Sequence, residues 1–99
     1  MVKYVLTNKA VEDLTKIWDY TFETWSEKQA DKYYMLLIDA CQEIAERAEI
    51  GKRYEEIANE ISGFRAGKHI ILYRSLKLQE VEILRILHSI MDLKTKMNE

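Results

Sequence analysis

Hydrophobic and polar positions change period along the chain, and the changes mark its elements. Residues 2–6 alternate, with Val2, Tyr4 and Leu6 on one side and Lys3 and Val5 on the other, which predicts a first strand. Thr7 or Asn8 can then cap a helix whose early turns hold Glu12 and Asp13, where the helix dipole favours acids. Ala10, Leu14, Ile17, Thr21 and Trp25 recur at helical spacing, with Trp18 and Phe22 widening the stripe, so this side is expected to face the core. Ser26-Glu27-Lys28-Gln29 has the form of a capping box and starts a second helix. Its apolar positions Ala30, Tyr34, Leu37, Cys41, Ile44 and Ala48 step by four and three, as in the seam of a helical hairpin. Gly51 is read as the stop, through the left-handed conformation that glycine enters at no steric cost.

Beyond Gly51 the period falls to two, predicting strands at 64–66, 69–74 and 80–88, with turns at Gly67 and at 75–79. The last two are apolar enough to be central. Residues 93–99 are expected to fray. The order β-α-α-β-β-β predicts an α+β fold in which a helical hairpin covers one face of a small antiparallel sheet.

Ninety-nine residues suffice for one core, so 1–99 is expected to be a single domain. Charged residues at 32% and hydrophobic ones at 47% suit a globular domain that folds without metal or disulfide. No stretch reaches the roughly 18 apolar residues of a spanning helix, no signal-peptide pattern opens the chain, and Cys41 has no cysteine to pair with. A cytoplasmic location and no membrane association are therefore expected. Cys41 itself, inside an apolar stripe, reads as a small buried hydrophobe.

The net charge of -2 argues against a general nucleic-acid binder. Its distribution is uneven: residues 8–50 hold five basic and ten acidic side chains, residues 51–78 six basic and three acidic. Two histidines and one cysteine at scattered positions give no metal-ligand spacing, and no phosphate-loop or dinucleotide motif occurs, so no cofactor is expected.

Several segments together carry a family resemblance: Ala10, Asp13-Leu14, Ile17-Trp18, Trp25, Gln29-Ala30, Tyr33 or Tyr34, Ile50-Gly51, Tyr54-Glu55-Glu56-Ile57, Gly63-Phe64-Arg65, Gly67-Lys68-His69, Leu72-Tyr73-Arg74 and Arg85-Ile86-Leu87-His88, then Met91-Asp92. In this order and spacing the chain resembles the ParE-type toxins of the RelE/ParE superfamily over nearly its whole length. The resemblance implies a type II toxin held in check by a ParD-like antitoxin, which wraps the toxin and binds operator DNA, so that DNA is met only indirectly. It implies DNA gyrase as the target, poisoned by binding and not by chemistry. Two alternatives remain open: a ribosome-dependent mRNA interferase of the RelE type, and a detoxified relative that only binds antitoxin and represses its operon. The chain departs from the family pattern where it lacks a proline before the Gly51 turn, has Ile90 where an arginine often stands, and is slightly acidic overall.

RNA cleavage needs a base, cations for the phosphate and an acid, usually Lys, Arg, His or Tyr on the sheet. Where RelE-like nucleases have an arginine on the central strand, Ile70 stands here. Arg65, His69, Arg85 and His88 can still gather at one sheet end. His69 and His88 can equally be strand-end histidines bonded to carbonyls, and Tyr73 a half-buried core residue. Arg74 and Arg85 need carboxylate partners, either internal, such as Asp92 or Glu82, or from the antitoxin. The target-interaction candidates are accordingly Arg65, His69, Arg74, Arg85, His88, Met91 and Asp92, with residues 85–97 as the effector end. More aromatic surface crowds the hairpin than one seam needs, which makes Trp18, Phe22, Trp25, Tyr33 and Arg74 the antitoxin-binding candidates.

Overall fold

A computed structural model describes residues 3–58, 60–77 and 80–98. Strand β1 (Lys3–Leu6) leads into helix α1 (Asn8–Thr24), with Thr7 as its N-cap accepting from the Ala10 amide. Ser26 caps α2 (Glu27–Glu46) by accepting from Gln29, as the capping box predicts. A 3₁₀ turn (Ala48–Ile50) follows, then β2 (Lys52–Arg53), β3 (Ser62–Ala66), β4 (His69–Lys77), β5 (Glu80–His88) and α3 (Leu93–Met97). Val2, assigned above to the first strand, and residues 78–79 of the last turn lie outside the described residues.

The strands form one sheet in the order β1-β5-β4-β3-β2, and the α1–α2 hairpin covers one face, which is the expected α+β layout. Two features differ from a purely antiparallel meander. Strand β1 pairs with β5 in parallel, Lys3 opposite Glu80 through Leu6 opposite Ile83, because the helices and meander between them supply the long crossover that parallel neighbours require. The short strand β2 pairs antiparallel with Ser62 and Gly63 of β3. A bulge in β4–β5, where Leu72 faces Arg85 but Tyr73 faces Ile83, leaves Leu84 as the extra residue.

Alternation on β4 and β5 divides the apolar side chains between two faces. Ile71, Tyr73, Val81, Ile83 and Ile86 pack against Leu14, Leu37, Cys41 and Ile44 beneath the helices. Ile70, Leu72 and Leu87 point the other way, where Ile61, Tyr54, Ile57, Leu93 and Met97 cover them. The C-terminal residues expected to fray thus form α3, because Asp92 caps it and Leu93 and Met97 find apolar cover under the sheet.

Three expectations about single residues need correction. Trp25, placed on the core stripe of α1, is 74% exposed at the helix C-cap, since the helix by then has turned its apolar stripe past the core. On α2 it is Tyr33, not Tyr34, that packs against the core. Gly51 is extended (φ -80°, ψ 160°), not left-handed; glycine is needed because a Cβ there would collide with the Tyr73 ring and hydroxyl. The left-handed glycine is Gly67 (φ 60°), in the β3–β4 turn.

Candidate functional site

Strand β1 stops at the Leu6–Ile83 pair, so the C-terminal half of β5 has no β1 backbone alongside it. Asp13, one and a half turns into α1, supplies a substitute: its Oδ2 accepts the Ile86 amide at 3.0 Å. The same carboxylate takes Arg85 Nε at 2.8 Å and Nη2 at 3.0 Å, a bidentate pair with both side chains about nine-tenths buried. Arg85 Nη1 also donates to the Lys96 carbonyl at 2.6 Å, which ties α3 to the same centre. Among the described residues the carboxylate that pairs with Arg85 is Asp13, not Asp92 or Glu82, and in the sequence Asp13 reads as an early-helix acid. Arg85 is a fixed link between α1, β5 and α3.

Arg74 does pair with Glu82, at 2.8 Å across β4 and β5, and it stays exposed. It lies toward the other end of β4, away from the remaining candidates.

At the β3–β4 turn the chain does assemble a cluster. His69 and His88 are cross-strand partners, their rings 5.3 Å apart and edge-on. The Tyr33 hydroxyl accepts the Lys68 amide at 2.9 Å and sits 2.7 Å from His69 Nδ1, to which it can donate when the ring is neutral. Burial, aided by His88 and opposed by Asp13, pushes His69 down to about 4, so the ring is neutral at physiological pH. Burial likewise raises the Tyr33 hydroxyl above its ordinary value. His88 Nδ1 accepts the Ile90 amide at 3.3 Å. Arg65 is exposed nearby and donates to the Gly67 carbonyl. Met91 is exposed just past β5, while Asp92 uses both carboxylate oxygens on Thr95, whose bonds hold its carboxyl below the usual range. Arg65, His69, His88, Met91 and Asp92 thus share one end of the sheet, whereas Arg74 and Arg85 stand apart from it.

Buried Ile70 offers no cation to this cluster, and both ring histidines are engaged by neighbours. Among the described residues no group of three or more His, Cys, Asp or Glu could hold a metal ion, and no helix is long and apolar enough to cross a membrane. Cys41 is buried in the core, and desolvation raises its thiol to about 12.

The helical face carries a second apolar stripe, whose Trp18, Phe22 and Trp25 were expected above to face the core. Val11, Thr15, Trp18, Phe22 and Trp25 step by four and three, beside the buried stripe of Ala10, Leu14 and Ile17. Trp18 and Phe22 stack at 5.2 Å, Trp18 Nε1 donates to Asp31 at 3.0 Å, and Val11, Phe22 and Trp25 are exposed. Tyr33 does not join them, because it turns inward to His69. A separate shallow groove runs between α2 and β3, floored by Ala40 and Ala66 and flanked by Met35 and Leu36. Beside it, β2 pairs only with Ser62 and Gly63, so β3 has no β2 partner from Phe64 to Ala66.

Comparison with known proteins adds the following. A family model described as the ParE toxin of type II toxin-antitoxin system, parDE, matches residues 4–93. Toxin ParE1 of Mycobacterium tuberculosis (strain ATCC 25618 / H37Rv) is 32% identical over 90 residues, covering 91% of this chain and 92% of that protein. Toxin ParE1 of Caulobacter vibrioides is 33% identical over 92 residues, covering 93% and 94%. A solved chain from the chromosomal ParDE TA system of P. aeruginosa has the same fold, with a TM-score of 0.75 at 21% identity over 89% of this chain and 96% of that one.

Proposed function

Since the chain belongs to the ParE toxins of type II toxin-antitoxin systems, we propose that it is a cytoplasmic toxin that arrests growth by binding DNA gyrase, and that a ParD-like antitoxin neutralises it. The observation that carries binding over chemistry is the engagement of the groups an RNase would need. Arg85 is locked on Asp13, His69 is a neutral ring held by Tyr33, and Ile70 stands buried where a nuclease of this superfamily has an arginine. A general base would have to come from His69 or His88, whose ring nitrogens are already engaged by Tyr33 and the Ile90 amide.

The antitoxin has two surfaces to use. The stripe of Val11, Trp18, Phe22 and Trp25 suits the apolar side of an amphipathic helix, and the α2–β3 groove beside an open strand edge suits an extended segment. A partner that wraps this chain would cover both.

One induction experiment tests the proposal. Expression without antitoxin should arrest growth, trap gyrase on cleaved DNA and induce the DNA-damage response, and co-expression of the antitoxin should reverse all three. Codon-positioned transcript cleavage in a purified translation reaction would replace this reading with the mRNA interferase. Absence of any arrest would leave a chain that serves antitoxin binding and operon repression alone.

A further inference from the structure

Ile90, in the turn after β5, is 86% exposed, and Met91 beside it is 41% exposed. A lone exposed isoleucine is ordinary on a protein surface. Its mounting is not. The Ser89 amide donates to the Lys68 carbonyl at 2.9 Å, the Met91 amide to the His88 carbonyl at 3.0 Å and the Ile90 amide to His88 Nδ1. On the far side Asp92 caps α3, which Arg85 holds to β5 through the Lys96 carbonyl. The backbone on both sides of Ile90 is therefore fixed to β4, β5 and α3, so presenting the side chain to another molecule requires little further ordering of the backbone.

Basic residues outnumber acidic ones around this knuckle. Arg65, Lys68 and Lys94 are exposed, and none of them is in an ion pair among the described residues. The acid among residues 65–68 and 88–94 is Asp92, an ionised carboxylate that caps α3 through Thr95 and offsets part of the Lys94 charge, which leaves three cations to one anion. A basic ring around an apolar knob, on a chain of net charge -2, complements an apolar pocket rimmed by carboxylates.

We propose that Ile90 is the anchor by which the toxin docks on its target protein, entering an apolar pocket whose acidic rim meets Arg65, Lys68 and Lys94. The inference rests on the reading that the chain arrests growth by binding a protein, and does not depend on which protein that is. The occupant is the target and not the antitoxin, because the surfaces proposed above for the antitoxin are on α1 and along α2–β3. It is a protein and not a nucleic acid, because the side chain that stands out among the cations is apolar and the chain carries a net charge of -2.

The test compares wild type, Ile90→Asp and Lys68→Glu, each checked for unchanged thermal midpoint and unchanged antitoxin affinity. Ile90→Asp should abolish growth arrest, and with purified gyrase and plasmid it should raise the toxin concentration needed for half-maximal cleavage complex by about tenfold or more. Lys68→Glu should weaken both effects less. An Ile90→Asp chain as toxic as wild type overturns the anchor while leaving the proposed function standing. A wild-type chain that does not arrest growth overturns both together. Salt-dependent binding to duplex DNA or RNA that Lys68→Glu weakens and Ile90→Asp leaves intact would make this end a nucleic-acid surface and would also overturn it.

Discussion

Asp13 and Arg85, 72 residues apart, form a buried bidentate pair, and Asp13 also closes the Ile86 amide that β1 leaves without a strand neighbour. Removing Arg85 leaves the buried Asp13 carboxylate without its counter-charge, and removing Asp13 takes from Arg85 the carboxylate that grips two of its nitrogens. Arg85→Ala and Asp13→Ala should each lower unfolding free energy by about 3–5 kcal/mol, read from urea denaturation. The double alanine variant should lose less than the sum. Additive losses would show that the pair is not coupled.

Gly51 and Tyr73 are matched by close approach. The Tyr73 hydroxyl accepts the Gly51 amide at 2.9 Å and donates to the Ala48 carbonyl at 2.6 Å, in the space a Cβ at 51 would fill. Gly51→Ala should cost about 1–3 kcal/mol by overpacking. Tyr73→Phe should cost about 1–3 kcal/mol by leaving two backbone groups unsatisfied. Together they should cost less than the sum, because the phenylalanine frees part of the room that the alanine needs.

His69 makes stability depend on pH in a defined window. Its imidazole titrates at 6.5 when unfolded and is held down to about 4 in the folded chain. Between these values the unfolded state binds more protons, so stability rises with pH. The contribution is complete above about 6.5 and is lost as pH falls through 4. Denaturation midpoints measured from pH 7.5 to 4 should fall less steeply for His69→Gln, which keeps an acceptor for Tyr33, than for wild type. Parallel curves would mean that His69 is not the group responsible.

The aromatic stripe of α1 predicts a change in binding without a change in fold. Trp25 is exposed beyond the core, so Trp25→Ala should leave the thermal midpoint within a degree or two, about 0.5 kcal/mol or less. Calorimetric titration with the ParD-like antitoxin should show affinity reduced by about tenfold or more. Unchanged affinity would remove α1 from the antitoxin interface.

What the sequence revealed was what neighbouring residues decide together. The capping box at Ser26, the span of β5 and the turn at Gly67 were legible, because each depends on residues within a few positions. The parallel pairing of β1 and the Asp13–Arg85 bond were not, since both join parts of the chain more than 70 residues apart; helical spacing puts Asp13 on the Ala10–Leu14–Ile17 stripe and Glu12 off it, but does not name the partner. Trp25 was misplaced for a different reason. Two stripes of the same spacing run side by side on α1, and period alone does not say which one the sheet covers. At the candidate site, the gathering of Arg65, His69 and His88 followed from strand order, but which groups were already taken by the fold did not.

Helices seal one broad surface of the sheet, and Tyr54, Ile57, Leu93 and Met97 seal the other. The surfaces proposed for the chain's partners accordingly lie along its margins: a helix flank, an unpaired strand edge and a corner where one isoleucine stands clear. Swapping residues at those margins can change what it recognises while the interior that holds it together stays untouched.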